Sequence, residues 1–86
     1  MPHLGATVIY QLASYDVDQI SKQREGQPRT FNDARETCRY PAIVVATWGG
    51  TQVNLQVFLD GNDTYWATSR QLGDEPGSWA WPSSDY

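Results

Sequence analysis

Between Gln52 and Leu59 the chain alternates strictly: Val53, Leu55, Val57 and Leu59 are apolar and point one way, and Gln52, Asn54, Gln56 and Phe58 point the other. That period of two predicts a strand with one buried face. The segment Ala6–Leu12 (ATVIYQL) is rich in β-branched and aromatic residues, with Val8, Tyr10 and Leu12 on one face, and also reads as a strand. The period then changes. Across residues 13–24, Val17 and Ile20 lie three apart, Asp16 and Gln19 have capping-box spacing, Lys22 and Arg24 fall near the end, and Gly26 follows. This is the pattern of a short amphipathic helix.

Pro41 opens a strand-like run from Ala42 to Trp48, and a proline is tolerated at the first residue of a strand. Gly49-Gly50 predicts a tight hairpin in which both central residues take positive φ. Asp60–Asp63 forms a second turn, Thr64–Ser69 a further strand, and Ser78–Trp81 a short last strand closed by Pro82. Residues 27–39 are polar, carry Pro28 and read as a long loop, with Asn32 or Asp33 placed to cap one further turn ending at Cys38.

The order strand, helix, long loop, meander and short strand predicts a mainly β fold. Two arrangements satisfy it: a small SH3-like five-stranded barrel or a strongly bent antiparallel sheet, in either case with one short helix inserted after the first strand. The 86 residues make a single domain, 1–86, in which 82–86 is expected to be a flexible tail.

Composition narrows the function classes. Four Trp and five Tyr mark a folded chain rather than a disordered one. Six basic against ten acidic side chains give a net charge of −4, so phosphate neutralisation along a long nucleic acid is not expected. The second half, from Tyr40 onward, holds one cation, Arg70. An anion site must therefore draw on Arg70 or on the loop arginines Arg29, Arg35 and Arg39. Cys38 and His3 stand alone, which leaves no internal disulfide and no tetrahedral zinc set. The first residues do not read as a signal peptide, and the longest apolar run, Ala42–Ala46, is far below the ~20 residues of a membrane helix. The expectation is a cytosolic protein with no membrane partner and no cofactor.

No enzyme signature emerges. Cys38 has no base suggested beside it, Asp60 and Asp63 occupy positions that a turn itself favours, and Asp74 and Glu75 read as solvated loop charge. The aromatics carry more information. Period two places Trp79 and Trp81 on one face, either closing the core or offering a wall on which a planar ligand stacks; each stacked base contributes ~1–3 kcal/mol. Arg70 follows Trp66 and Thr68 and suits a phosphate, or else forms a surface ion pair with Asp74 or Glu75. The candidate ligand-binding set is Trp66, Thr68, Arg70, Trp79, Trp81 and Arg39.

The stretch Val53–Ser69 (VNLQVFLDGNDTYWATS) and the closing Gly73–Pro82 (GDEPGSWAWP) resemble a family of small proteins frequent in bacteriophages and prophages. The likeness extends to the opening strand and to Tyr40–Trp48, and it implies a viral origin. In size and aromatic content the chain also resembles small phage proteins that sequester immune signalling nucleotides. Together these give the expected function: a phage-encoded, non-enzymatic, homo-oligomeric protein that captures a nucleotide-derived immune signal, such as a cyclic nucleotide or ADP-ribose derivative, in the host bacterial cytoplasm. The alternatives are a virion head or tail accessory protein and a direct protein inhibitor of a host defence factor.

Overall fold

The structure is a computed structural model that describes residues 2–28 and 30–83. Arg29 and residues 84–86 of the expected tail lie outside the described residues.

Each segment with a clear period forms the element it predicts. The strands are β1 (Thr7–Gln11), β2 (Arg39–Thr47), β3 (Val53–Phe58), β4 (Thr64–Arg70) and β5 (Trp79–Ala80), and the helix is α1 (Ser14–Gln23). In β3 the odd-numbered residues Val53, Leu55 and Val57 are fully buried while Asn54, Gln56 and Phe58 are not. Val8, Tyr10 and Leu12 likewise all enter the core.

The strands form one antiparallel sheet in the order β4-β3-β2-β1-β5. It bends strongly but does not close into a barrel. β5 meets the chain just beyond β4 through a single parallel bridge, Leu72 with Trp79, flanked by hydrogen bonds from Trp79 N–H to the Gln71 carbonyl (3.1 Å) and from Gly73 N–H to the Trp79 carbonyl (3.0 Å). Two residues of strand are too few for a ladder on both sides, so the seam stays a point contact.

Four local expectations change. Pro41 does not open β2 but is its third residue, paired with Ile9. The β2–β3 connection spans residues 48–52 and only Gly49 of the glycine pair has positive φ (91°), so it is not a two-residue turn. The N-cap of α1 is Ala13, and its N–H donates to Asp16 Oδ2 at 2.8 Å. Asp16 therefore caps backwards from the first turn instead of pairing with Gln19. Among the described residues of the 27–38 segment Asn32 and Asp33 cap no helical turn, and the chain reaches Cys38 through a tight turn in which Cys38 N–H donates to the Arg35 carbonyl at 3.1 Å. Asn32 is instead fastened to Asp60 twice, by its N–H to the carbonyl and by Nδ2 to Oδ2, each at 2.8 Å. Beside this tether Phe31 bridges Gly61, where any β-carbon would collide with the phenylalanine.

The inner face of the sheet, capped by Ile20 of α1, holds the core. At the β4 edge, the Thr64 carbonyl accepts from Gln23 Nε2 (2.9 Å) and the Thr68 carbonyl from Arg70 Nη1 (2.5 Å). Occupying edge carbonyls with the chain's own donors discourages strand addition there. Among the described residues no helix is long and apolar enough to cross a membrane.

Candidate functional site

Strict alternation along β4 would put Trp66, Thr68 and Arg70 on one face, an indole, a hydroxyl and a guanidinium together. An extra residue prevents it. Leu55 pairs with Ala67 but Val53 pairs with Arg70, so three steps of β4 oppose two of β3. The bulge is held by Ser69, whose φ is 58° and whose N–H donates to Asn54 Oδ1 at 2.8 Å. Beyond it the parity reverses: Trp66 and Thr68 stay on the outer face and Arg70 turns inward.

Inside, Arg70 meets Asp16, which is fully buried. Arg70 Nη2 donates to Asp16 Oδ1 at 2.9 Å and Nε to the Tyr10 hydroxyl at 2.7 Å. Tyr65 donates its hydroxyl to the same Oδ1 at 2.6 Å, while Oδ2 accepts from the Tyr10 hydroxyl (2.5 Å) and from Ala13 N–H (2.8 Å). Each carboxylate oxygen thus takes two donors. The cluster ties α1 to β1 and β4 and leaves the carboxylate no acceptor capacity for a ligand, so Arg70 is a structural cation. The expected surface pair with Asp74 or Glu75 is replaced by this buried one.

The same cluster makes stability sensitive to alkali. Burial, with the hydrogen bond to Asp16 adding to it and Arg70 opposing it, pushes the phenols of Tyr10 and Tyr65 well above their ordinary value of 10.0. An unfolded chain releases these protons near pH 10 while the folded chain keeps them. Stability is therefore full below pH 10 and falls as pH rises, at up to about 1.4 kcal/mol per pH unit for each tyrosine. Urea titrations between about pH 9 and 11 should show this fall, with part of the tyrosinate absorbance appearing only on unfolding. A flat stability profile, with every tyrosine ionising in the folded protein near its ordinary value, contradicts it.

The other expected site residues are dispersed. Trp79 is fully buried and its Nε1 donates to the Thr51 carbonyl at 2.9 Å, so it is a core residue with no face left for a ligand. Trp81 does share its face, packing edge-on at 5.2 Å, and remains half-exposed. Arg39 is exposed at the start of β2, opposite Gln11, and lines a crevice of only ≈ 20 Å³ with Gly73 and Asp74. Trp66 and Thr68 lie together on one surface, with Arg39 remote from them at its far end.

That surface is the outer face of the sheet. Trp66 lies opposite Gln56 and Gln56 opposite Ile43; Thr64 lies opposite Phe58, and Pro41 opposite Ile9. Trp66 is 59% exposed, Phe58 42% and Val45, at the β2 bulge, 40%. None of these positions is charged, and Arg39 stands at the far end of the face. In the sequence, Trp66 and Thr68 are candidates that do fall on this surface, and Phe58, an aromatic on the polar side of a cleanly alternating strand, is the further signal for it.

A second concavity lies elsewhere. A groove of ≈ 470 Å³ runs between α1 and residues 31–35, lined in part by Ile20, Arg24, Phe31 and Arg35. Arg24 forms its wall and is fully engaged: it chelates Asp63 at 2.8 and 3.1 Å, donates to the Asn32 carbonyl at 3.1 Å and lies 3.9 Å over the Phe31 ring. The guanidinium holds the Asp63 carboxyl below its usual value. Arg35 is largely exposed and only 4.0 Å from Asp33. Among the described residues no three His, Cys, Asp or Glu side chains gather as a metal set.

Compared with known proteins, the chain matches no family model, no curated protein and no solved structure.

Proposed function

We propose that this protein is a binding module that acts by contact, without turnover, and that its working surface is the outer face of the sheet. The observation that carries this reading is the set of exposed apolar side chains on that face, Trp66, Phe58 and Val45, with no charge among them. Aromatic residues at a charge-depleted centre are what protein–protein contacts favour. A phosphate-bearing ligand needs a cation beside the indole, and the bulge at Ser69 takes Arg70 away from it. The resemblance of residues 53–69 and 73–82 to phage proteins supports a viral setting, in which a virion accessory role or direct inhibition of a host protein in the bacterial cytoplasm uses such a face.

Capture of a signalling nucleotide is the second reading, and the groove between α1 and residues 31–35 supports it. Its size lies within the range of small-molecule sites, and Phe31 and Arg35 supply a ring and a cation. Calorimetry with a panel of cyclic nucleotides and ADP-ribose derivatives separates the two. The contact reading expects no binding heat from any of them, together with a protein partner retained by the wild type and by Arg35→Ala but lost by Trp66→Glu. Tight nucleotide binding that Arg35→Ala or Phe31→Ala abolishes would overturn it in favour of capture.

A further inference from the structure

The turn between β3 and β4 carries the chain's one aspartate–glycine pair, Asp60-Gly61, and the sequence has no asparagine–glycine pair. Both residues are exposed. Such a pair is chemically labile in a flexible chain. The peptide nitrogen of the glycine attacks Cγ of the aspartate; the nitrogen gives up its proton, the carboxyl gives up its hydroxyl, and the two leave as water. Water then reopens the five-membered imide at either carbonyl. One opening restores aspartate, and the other leaves isoaspartate, with the main chain running through the side-chain carboxyl carbon. The step balances with water alone and needs no oxidant or cofactor. Glycine makes it easy because no β-carbon shields its nitrogen.

In the folded chain both reacting groups are occupied. Gly61 N–H donates to the Leu59 carbonyl at 2.9 Å, which closes a three-residue turn around Asp60. Asp60 Oδ2 accepts from Asn32 Nδ2 at 2.8 Å, and the Asp60 carbonyl accepts from Asn32 N–H at the same distance. Attack requires the Asp60 side chain to swing over the Gly61 nitrogen and the peptide plane between the two residues to turn. The first motion breaks the side-chain bond to Asn32, and the second breaks both backbone bonds.

The fold also keeps the labile pair in place. At position 61 any β-carbon would collide with Phe31, so only glycine fits beside that bridge. At position 60 the carboxylate is what Asn32 Nδ2 holds. The residues that make the bond reactive are therefore the ones from which the tether is built. Exposed hydrogen bonds of this kind open locally more often than the whole domain unfolds.

We propose that Asp60 is a site of spontaneous isoaspartate formation, closed while Phe31 and Asn32 are fastened to the β3–β4 turn and open when that tether lets go. The change then sustains itself. Isoaspartate adds a main-chain atom at position 60, which displaces the carbonyl and carboxylate that Asn32 grips and the glycine that Phe31 bridges. The Phe31 wall of the groove beside α1 goes with them. None of this depends on what the outer face contacts.

Peptide mapping with electron-transfer fragmentation, which separates aspartate from isoaspartate at equal mass, follows Asp60 over weeks at neutral pH. Isoaspartate should form at least tenfold more slowly in the folded wild type than in the same chain unfolded in guanidinium chloride. Asn32→Ala, which removes only the side-chain tether, should speed its formation at least threefold with the fold intact by circular dichroism, whereas Arg35→Ala leaves the rate unchanged. Should Asn32→Ala fail to fold, Asn32→Asp, which cannot donate to a carboxylate, replaces it. In the purified isoaspartate form the Asn32 amide hydrogen should exchange at least tenfold faster than in the unmodified protein. A folded wild type that isomerises as fast as the unfolded chain overturns the proposal, as does an unfolded chain that forms no isoaspartate at Asp60. A folded tether variant no faster than wild type overturns it too, and so does an isoaspartate form whose Asn32 amide stays fully protected.

Discussion

Replacing Asp16 with alanine should destabilise the fold by ~3–5 kcal/mol, the cost of removing one member of a buried ion pair. The loss is large because the carboxylate serves four donors at once: the Tyr10 and Tyr65 hydroxyls, Ala13 N–H and Arg70 Nη2. Without it two phenols lose their acceptor, the guanidinium keeps the Thr68 carbonyl and the Tyr10 hydroxyl but no counter-charge, and α1 loses both its N-terminal cap and its buried link to β4. The Arg70 side chain keeps 16% exposure, so partial hydration should bring the loss toward the lower end of that range. Against a total stability of about 0.05–0.15 kcal/mol per residue, on the order of 4–13 kcal/mol for 86 residues, the loss removes roughly a quarter or more of the fold's stability. Urea unfolding followed by circular dichroism measures it. A loss below about 1 kcal/mol would mean the cluster is far more hydrated than its geometry implies.

Trp79→Ala should be comparably severe, ~3–5 kcal/mol, and Trp81→Ala should cost under about 1.5 kcal/mol. The two indoles are two residues apart and touch edge-on, yet their surroundings differ. Trp79 is enclosed, donates to the Thr51 carbonyl and carries the backbone bridge that brings β5 to the chain after β4. Its removal opens a cavity and loosens the seam of the bent sheet together. Trp81 lies at the margin with one side in water. Parallel thermal and urea melts of both variants check this contrast, and a Trp81→Ala loss equal to or above that of Trp79→Ala contradicts it.

Much of the fold was legible because the core is built on period two. The alternation of Val53, Leu55, Val57 and Leu59 fixed both the strand and its buried face, and the change of period at Val17 and Ile20 marked the helix. Closure of the sheet was not legible, since it depends on how far two residues of β5 can bridge. The site was less readable still. Trp66, Thr68 and Arg70 alternate in sequence, but a single residue in the left-handed region at Ser69 breaks the alternation, and β-bulges leave no dependable composition signal when the residue is not glycine. Asp16 looked like an ordinary helix-start carboxylate. Its partners Tyr10, Tyr65 and Arg70 are separated from it by 6, 49 and 54 residues, and only the bend of the sheet brings them together. Trp66 and Phe58 were the visible clues to the outer face.

The inward turn of Arg70 leaves Trp66 without a cation beside it, and a double-mutant cycle probes that turn directly. Asp16→Asn, Arg70→Met and the double variant would be compared by urea unfolding. A coupling of at least ~2 kcal/mol between the two sites is predicted, as for groups within one buried network. A coupling within about 0.5 kcal/mol of zero, with Arg70→Met nearly neutral, would place the guanidinium in solution and contradict the account.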